Sequence, residues 1–285
     1  MEIARTITDI RRLAGSARKA GRTVGFVPTL GALHEGHLSL VRQARKENDF
    51  LVVSIFLNPT QFVAGEDLSE YPHHDKQDLE LCEKAEVDVV FLPSVEQMYP
   101  VGYRTAVNVE GLSAKLCGIN RPGHFAGVCT VVAKLFNIVQ PDLAYFGQKD
   151  AQQALIIRRM VQDLDMPIQI RLCPTVRERN GLALSSRNAY LTEKQRGQAA
   201  CLYRALQKGK DLIESGQRDP QVVTEQMARV IVEARLSQID YVAAVDPEDL
   251  EPVTKDSPSW LLAVAVRIGP ARLIDNMLVE ISGDK

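Results

Sequence analysis

"TVGFVPTLGALHEGHLSLVRQARKEN", residues 23–48, changes its hydrophobic period half-way along, and that change decides the fold. Residues 23–30 are dense in β-formers, whereas beyond residue 34 the side chains of Leu38, Val41 and Ala44 recur at helical spacing. The stretch reads as strand, turn, helix. Its turn holds two glycines, Gly31 and Gly36, and two histidines, His34 and His37, three residues apart. Three readings are open: a metal site, a phosphate-binding turn, or ordinary capping and packing. Metal ligation fits worst, because zinc-protease spacing is H-E-x-x-H and the second histidine here comes one residue early. No cysteine pair or third histidine is close in sequence. Capping by one imidazole and packing by the other is the bland alternative. Position favours the phosphate turn, since the amide donors and dipole at a helix start attract an anion. Glycines let the backbone approach it closely, and imidazole N–H groups donate as charge develops. The turn matches neither the G-x-x-x-x-G-K-[ST] loop nor the G-x-G-x-x-G fingerprint.

Working outward, strand and helix patterns alternate. "DFLVVSIFLNP" (49–59) is a near-continuous apolar run expected of a buried strand, "DKQDLELCEKAEV" (75–87) a helix and "DVVFLPS" (88–94) a strand. "HFAGVCTVVAKLFNIVQ" (124–140) is a helix ended by Pro141. "LAYFGQ" (143–148), "DAQQALIIRRMVQDLD" (150–165) and "PIQIRLCPTV" (167–176) continue as strand, helix, strand. Such spacing indicates βαβ units and a parallel sheet. Right-handed crossovers put the strand-to-helix loops at its carboxyl edge. Near residue 176 the character changes. Helical stretches at 192–216 and 219–237 precede strand-like pieces at 238–246, 259–269 and 271–281, as in a smaller α+β domain. The expected fold is therefore α/β, a Rossmann-like doubly wound parallel sheet over 1–175, with a smaller α+β C-terminal domain over 176–285. The polar stretch "RERNGLALSSRN" (177–188) between them reads as a mobile connection.

Composition narrows the class. Of 285 residues 45% are hydrophobic and 25% charged, ordinary for a soluble globular chain. The formal net charge of −2 comes without a basic stripe or tail, which argues against nucleic acid as a partner. Five scattered cysteines, an odd number without a C-x-x-C pair, read as small buried hydrophobes in a reducing compartment. The amphipathic start lacks a signal-peptide core and no apolar run approaches the ~20 residues of a membrane span, so a cytoplasmic location with no membrane partner is expected.

"HEGH" is a variant of the H-x-G-H motif of nucleotidyltransferases and class I aminoacyl-tRNA synthetases. The longer run "FVPTLGALHEGHLSLV" (26–41) resembles the pantoate–β-alanine ligase family. "VSIFLNPTQF" (53–62), "YP" (71–72), the run at 121–153 and "PTVRERNGLALSSRNAYL" (174–191) agree with it in order and spacing, across essentially the whole chain. The resemblance implies ATP-dependent condensation of (R)-pantoate with β-alanine through a pantoyl-adenylate, releasing AMP and pyrophosphate. It implies Mg²⁺ carried with ATP, a homodimer, and a C-terminal lid domain. It marks His37 as catalytic, with His34 and Lys149 beside the phosphates. ATP would be lined by Leu30, Gly31, Ala32, Leu33, Glu35 and Gly36, by Gly147, Gln148 and Asp150, and by Val176, Leu184, Ser185, Ser186 and Arg187.

Physical roles suit these types. Lys149 ends a strand and begins a helix, where a point charge meets leaving phosphates. Asp150 is also a natural helix cap. Ser185 and Ser186 offer hydroxyls, and Arg187 a fixed guanidinium fork. Gln61 and Gln153 are the positions matching the pantoate amides; an amide meets hydroxyls without adding charge. Phe62 and Leu30 are apolar candidates for the gem-dimethyl group. No metal ligand is assigned, Asp78 being at most an indirect partner of the ion. Leu30 stands where methionine is usual, and Gln148 where glutamate is. Three rivals remain: a nucleotidyltransferase that releases its adenylate, a tRNA-charging enzyme, which needs a basic surface that is missing here, and a silent ATP-binding regulator on the same fold.

Overall fold

The computed structural model describes residues 1–234 and 237–281. In chain order the elements are β1 (Glu2–Ala4), α1 (Ile7–Lys19), β2 (Val24–Thr29), α2 (Glu35–Glu47), β3 (Phe50–Ile55), α3 (Asp75–Lys84), β4 (Val89–Phe91) and α4 (Val95–Met98). There follow α5 (Cys117–Asn120), α6 (His124–Val139), β5 (Leu143–Gly147), α7 (Ala151–Asp163) and β6 (Gln169–Cys173). The last are α8 (Glu193–Ala199), α9 (Cys201–Glu214), α10 (Pro220–Val232), β7 (Ser237–Val245), β8 (Ser259–Ile268) and β9 (Ala271–Glu280).

The chain divides into two compact units. One holds Met1–Ala114, Arg121–Gln148 and Gln153–Pro174; the other holds Lys115–Asn120, Lys149–Gln152 and the chain from Thr175 onward. The first is built on a parallel sheet of order β1-β4-β3-β2-β5-β6. Period-two alternation buries both faces. Val27, Leu51, Val53 and Ile55 join Leu40, Val41 and Ala44 of α2, whereas Phe26 meets Phe136 of α6 edge-on, ring centroids 6.3 Å apart. Strand order reverses between β2 and β5. Pairing there covers only Gly25–Leu143 and Phe26–Ala144, against six pairs between β2 and β3. The carboxyl ends of β2 and β5 thus part company, which is where doubly wound sheets bind ligands. The stretch 128–139, long enough in apolar residues for core or interface, is core: Cys129 and Val139 are fully buried within α6.

The second unit carries an antiparallel sheet, β7-β8-β9, whose buried face centres on Trp260 and packs with α9 and α10 through Leu202, Leu206 and Met227. Three local differences from the sequence pattern stand out. The helix expected over 192–216 breaks at Ala200 into α8 and α9. The helix expected over 219–237 ends at Val232, and residues 235–236 of that expectation lie outside the described residues. A strand, β1, forms from only three residues, because β4 offers it a parallel partner in register.

Candidate active site

β2 delivers the chain into the turn Leu30–Leu33. Gly31 has φ +89°, which favours glycine, and a Cβ there would stand tightly at 3.2 Å from Ile55 Cγ2 and 3.3 Å from Asp78 Oδ2. Its amide donates to Thr29 Oγ1 at 3.2 Å. Ala32 follows with φ +50°. Asp78 of α3, buried at 1% exposure, accepts the amides of Ala32 (Oδ2) and Leu33 (Oδ1), each at 2.8 Å. Burial pushes its carboxyl above the usual value; the Leu33 and Ala32 amides and His74 pull the other way, and Asp75 adds to the rise. Asp78 therefore serves the turn's backbone through both carboxylate oxygens.

His34 caps α2. The Gly36 amide donates to His34 Nδ1 at 3.1 Å, and the His34 amide donates to His37 Nδ1 at 3.4 Å. The rings lie 4.1 Å apart at 34°. A neutral imidazole that accepts at Nδ1 carries its proton on Nε2. Both histidines thus cap the helix and, by doing so, become Nε2–H donors at its positive end. The structure shows capping by both imidazoles, where the sequence allowed one to cap and the other to pack; this is compatible with a phosphate turn, because capping through Nδ1 leaves Nε2–H as a donor. Glu35 and Gly36 complete the first turn of α2.

Gln61 sits just past the carboxyl end of β3, buried, in the 3₁₀ turn Pro59–Gln61. Asn58 Nδ2 donates to Gln61 Oε1 at 3.1 Å and to the Gly127 carbonyl at 3.2 Å. The Tyr99 hydroxyl donates to Asn58 Oδ1 at 2.7 Å. Behind the turn, the Gln61 carbonyl accepts from His124 Nδ1 at 2.7 Å, which leaves Nε2 to accept from Arg121 at 2.7 Å. Arg121 in turn grips both oxygens of Glu66, at 2.5 and 2.8 Å. Phe62 is half-buried and meets Tyr71 edge-on at 6.0 Å. Gly147 and Gln148 lie at the end of β5, and half-buried Gln153 in the first turn of α7. Within the first unit, then, the carboxyl ends of β2, β3 and β5 bear the His34–His37 turn, Gln61, and the Gly147–Gln148 pair.

In the second unit Lys149 and Asp150 stand in a short 3₁₀ turn, Nζ to Oδ1 at 3.3 Å. Asn276 of β9 donates to the Lys149 carbonyl at 2.9 Å. Residues 177–188, expected as a mobile connection, are laced internally by hydrogen bonds. The Leu184 amide donates to the Val176 carbonyl at 3.0 Å, pairing two of the expected nucleotide contacts. Arg177 forks onto buried Asp275 at 2.5 and 3.0 Å and lies 4.3 Å over the Tyr203 ring. Burial raises the Asp275 carboxyl even against Arg177. Ser185 Oγ accepts the Arg187 amide at 3.3 Å, opening the 3₁₀ turn Ser186–Tyr190. Both serines and Arg187 are half-buried.

Sequence reading missed Asn58, Glu66, Arg121, His124 and Asn276. Asn58, Arg121 and His124 fall within the runs at 53–62 and 121–153 that carried the resemblance, whereas Glu66 and Asn276 carried no signal. The five cysteines are free thiols and buried; burial pushes Cys82 up to about 12 and Cys129 and Cys201 up to about 11. Among the described residues no group of three or more His, Cys, Asp or Glu is placed to hold a metal, and no helix is long and apolar enough to cross a membrane.

Residues 2–278 match the family model described as pantoate-beta-alanine ligase. A pantothenate synthetase from Moorella thermoacetica is 55% identical over 282 residues, covering 99% of this chain and all of its own. The crystal structure of pantothenate synthetase from Thermus thermophilus superimposes with a TM-score of 0.93 at 45% identity, over 99% of this chain and 100% of that one. A pantoate-beta-alanine ligase from Francisella tularensis, crystallised with beta-gamma ATP and beta-alanine, gives 0.81 at 36% identity, over 98% and 97%.

Proposed function

The chain belongs to the pantoate–β-alanine ligase family, and we propose that it joins its substrates in two steps through an enzyme-bound pantoyl-adenylate. Condensation of pantoate with β-alanine to pantothenate is the family's reaction and this enzyme's. ATP as co-substrate is supported by the relative crystallised with beta-gamma ATP and beta-alanine. In the first step a pantoate carboxylate oxygen attacks the α-phosphorus, the bond to the bridging oxygen breaks, and pyrophosphate leaves with the electron pair. In the second the amine nitrogen of β-alanine attacks the acyl carbon, the bond to the AMP oxygen breaks, and the amine sheds its protons to solvent.

The observation that carries this reading is the reciprocal capping of His34 and His37, which aims two Nε2–H donors from the positive end of α2. Little covalent work falls to the protein in phosphoryl transfer, so positioning and charge stabilisation are what it must supply. We assign His37 and His34 to the α- and β-phosphates and Lys149 to the departing pyrophosphate. Ser185, Ser186 and Arg187 hold the same side. Leu30 to Leu33, Glu35, Gly36, Gly147, Gln148, Asp150, Val176 and Leu184 line the nucleotide. Gln61 and Gln153 take the pantoate hydroxyls and carboxylate. An arginine there would stabilise the ground-state anion and blunt its attack. Mg²⁺ arrives as part of the ATP complex, in keeping with a donor set whose one buried turn carboxylate, Asp78, already accepts two amides.

The test is pantoate-dependent exchange of labelled pyrophosphate into ATP with β-alanine absent. Exchange, followed by pantothenate and AMP on adding the amine, is expected. Turnover with all three substrates yielding ADP and phosphate overturns the adenylate. We further propose a homodimer in the cytoplasm; light scattering at the mass of one chain refutes the dimer.

A further inference from the structure

We propose that Asp78 is a positioning residue for the phosphate turn, its carboxylate fixing the backbone from which His34 and His37 are presented. This rests on the reading of that turn as the ATP site. Three observations bring it there. Both carboxylate oxygens are engaged, each by one amide of consecutive turn residues at 2.8 Å. That pairing clamps Ala32 and Leu33 together where the backbone is strained, since Ala32, a non-glycine residue, has φ +50° directly after Gly31. Finally, the turn is packed on one side, with Gly31 against Ile55 and Leu33 in the apolar core, and open on the other, where Leu30, Gly31 and Ala32, with Asp78, border a pocket of about 310 Å³ that is also lined by Arg5, Phe56, His73 and His74. On the pocket side the two Asp78 hydrogen bonds tie its backbone down. Displacing Leu33 moves the His34 amide next along the chain, and with it the acceptor bond that sets the His37 tautomer. Asp78 therefore acts through the backbone and touches no substrate.

The reader of this role is the histidine tautomer, which nitrogen-15 NMR distinguishes without any substrate. In Asp78→Asn one amide oxygen replaces two carboxylate oxygens, and the amide nitrogen faces a backbone N–H. The expected result is a folded protein in which His34 and His37 shift from Nε2–H toward mixed tautomers. KM for ATP rises tenfold or more and kcat falls, while KM for pantoate stays within twofold. A variant with a lowered melting temperature but wild-type tautomers and ATP kinetics overturns the proposal. Should the variant not fold, wild-type enzyme supplies the measurement: acid titration should move the Ala32 and Leu33 amide resonances together, with one midpoint. The charged and titratable groups around it are His74, Asp75 and Cys82, which face Asp78, and Arg5 and His73 across the pocket. Independent movement of the two amides refutes it. His37→Ala run in parallel separates the failures. If ATP kinetics survive that change, the site assignment is wrong; if they collapse while Asp78→Asn leaves them intact, only the present inference falls.

Discussion

Gly127→Ala tests how rigidly Gln61 is held. Gly127 lies in the first turns of α6, against the Pro59–Gln61 turn. An added Cβ would stand 2.2 Å from the Thr60 carbonyl oxygen, 2.5 Å from its carbon and 2.7 Å from Gln61 Cα. All three atoms are backbone, so no side-chain rotation relieves the overlap; the turn or the helix must retreat by ~1 Å to regain ordinary contact. Overpacking of this kind costs about 1–3 kcal/mol. Stretching the Asn58–Gly127 hydrogen bond, 3.2 Å in the native turn, adds about 1 kcal/mol. At roughly 2 °C per kcal/mol for a chain of this size, the melting temperature should fall by about 4–8 °C. The retreat also carries Gln61 with it, and misplacement by ~1 Å can cost up to 10²-fold in rate. We expect kcat/KM for pantoate to drop at least tenfold, with KM for ATP unchanged. The assay is thermal melting beside steady-state kinetics with each substrate varied in turn. Gly197→Ala is the control: it lies exposed in α8 with nothing within 4 Å of its added Cβ, and should stabilise slightly. A Gly127→Ala enzyme that melts like the wild type refutes the packing argument. One that melts early but keeps its pantoate kinetics refutes the role of Gln61.

Three further outcomes are expected. Gln153→Arg should lower kcat more than it weakens pantoate binding, as judged by calorimetric titration beside turnover; unchanged turnover contradicts the ground-state argument. Glu66→Gln should destabilise only above acid pH. Burial alone would raise the Glu66 carboxyl, but the Arg121 fork and charge, the Val63 amide and His124 together outweigh it and hold it below the usual 4.5. A lowered carboxyl contributes stability above 4.5 that is lost as pH falls through the folded value. The variant should thus melt earlier than wild type at neutral pH, by about 1.5–3 kcal/mol, and the gap should close as pH falls through the folded carboxyl's value; a gap that persists in acid counts against the ion pair. Asp275→Ala leaves the Arg177 guanidinium without its carboxylate partner beside Tyr203, at a cost of about 3 kcal/mol, or roughly 6 °C of melting temperature. An unshifted melt would mean the Arg177–Asp275 pair carries none of the loop's stability.

What the sequence made legible was whatever is local. The switch from period two to period 3.6 around residues 30–34 placed β2, the turn and α2, because strand and helix each repeat within a few residues. The cap histidines were visible for the same reason, being three residues apart. What holds the site was not visible. Asp78 reaches the turn across 45 and 46 residues, Arg121 reaches Glu66 across 55, and Asn276 reaches Lys149 across 127. A polar pair between distant elements leaves no period in a single chain. Composition was equally silent at 177–188. Its arginines, glutamate and asparagines read as a mobile connection and gave no sign that Arg177 turns inward onto Asp275 or that Asn188 donates to the Ala183 carbonyl at 3.0 Å. β1 was too short to announce itself, existing only because β4 is there to pair with it.

The sign of the Asp78 shift explains why such a residue is informative once seen. Its folded carboxyl lies above the usual 3.8, so the native state holds that proton more tightly than the unfolded chain does. Stability from this group therefore falls as pH rises from 3.8 through the folded value, and at neutral pH the ionised carboxylate is a net cost to folding. Core patterning has no use for it: position 78 lies on the buried face of α3, where an apolar side chain would pack at no such cost. A fold that keeps a buried, raised carboxylate at this point keeps it for what it bonds, and it bonds the two amides that precede His34. The stability sacrificed in α3 is recovered as fixed backbone geometry in the turn that presents His34 and His37.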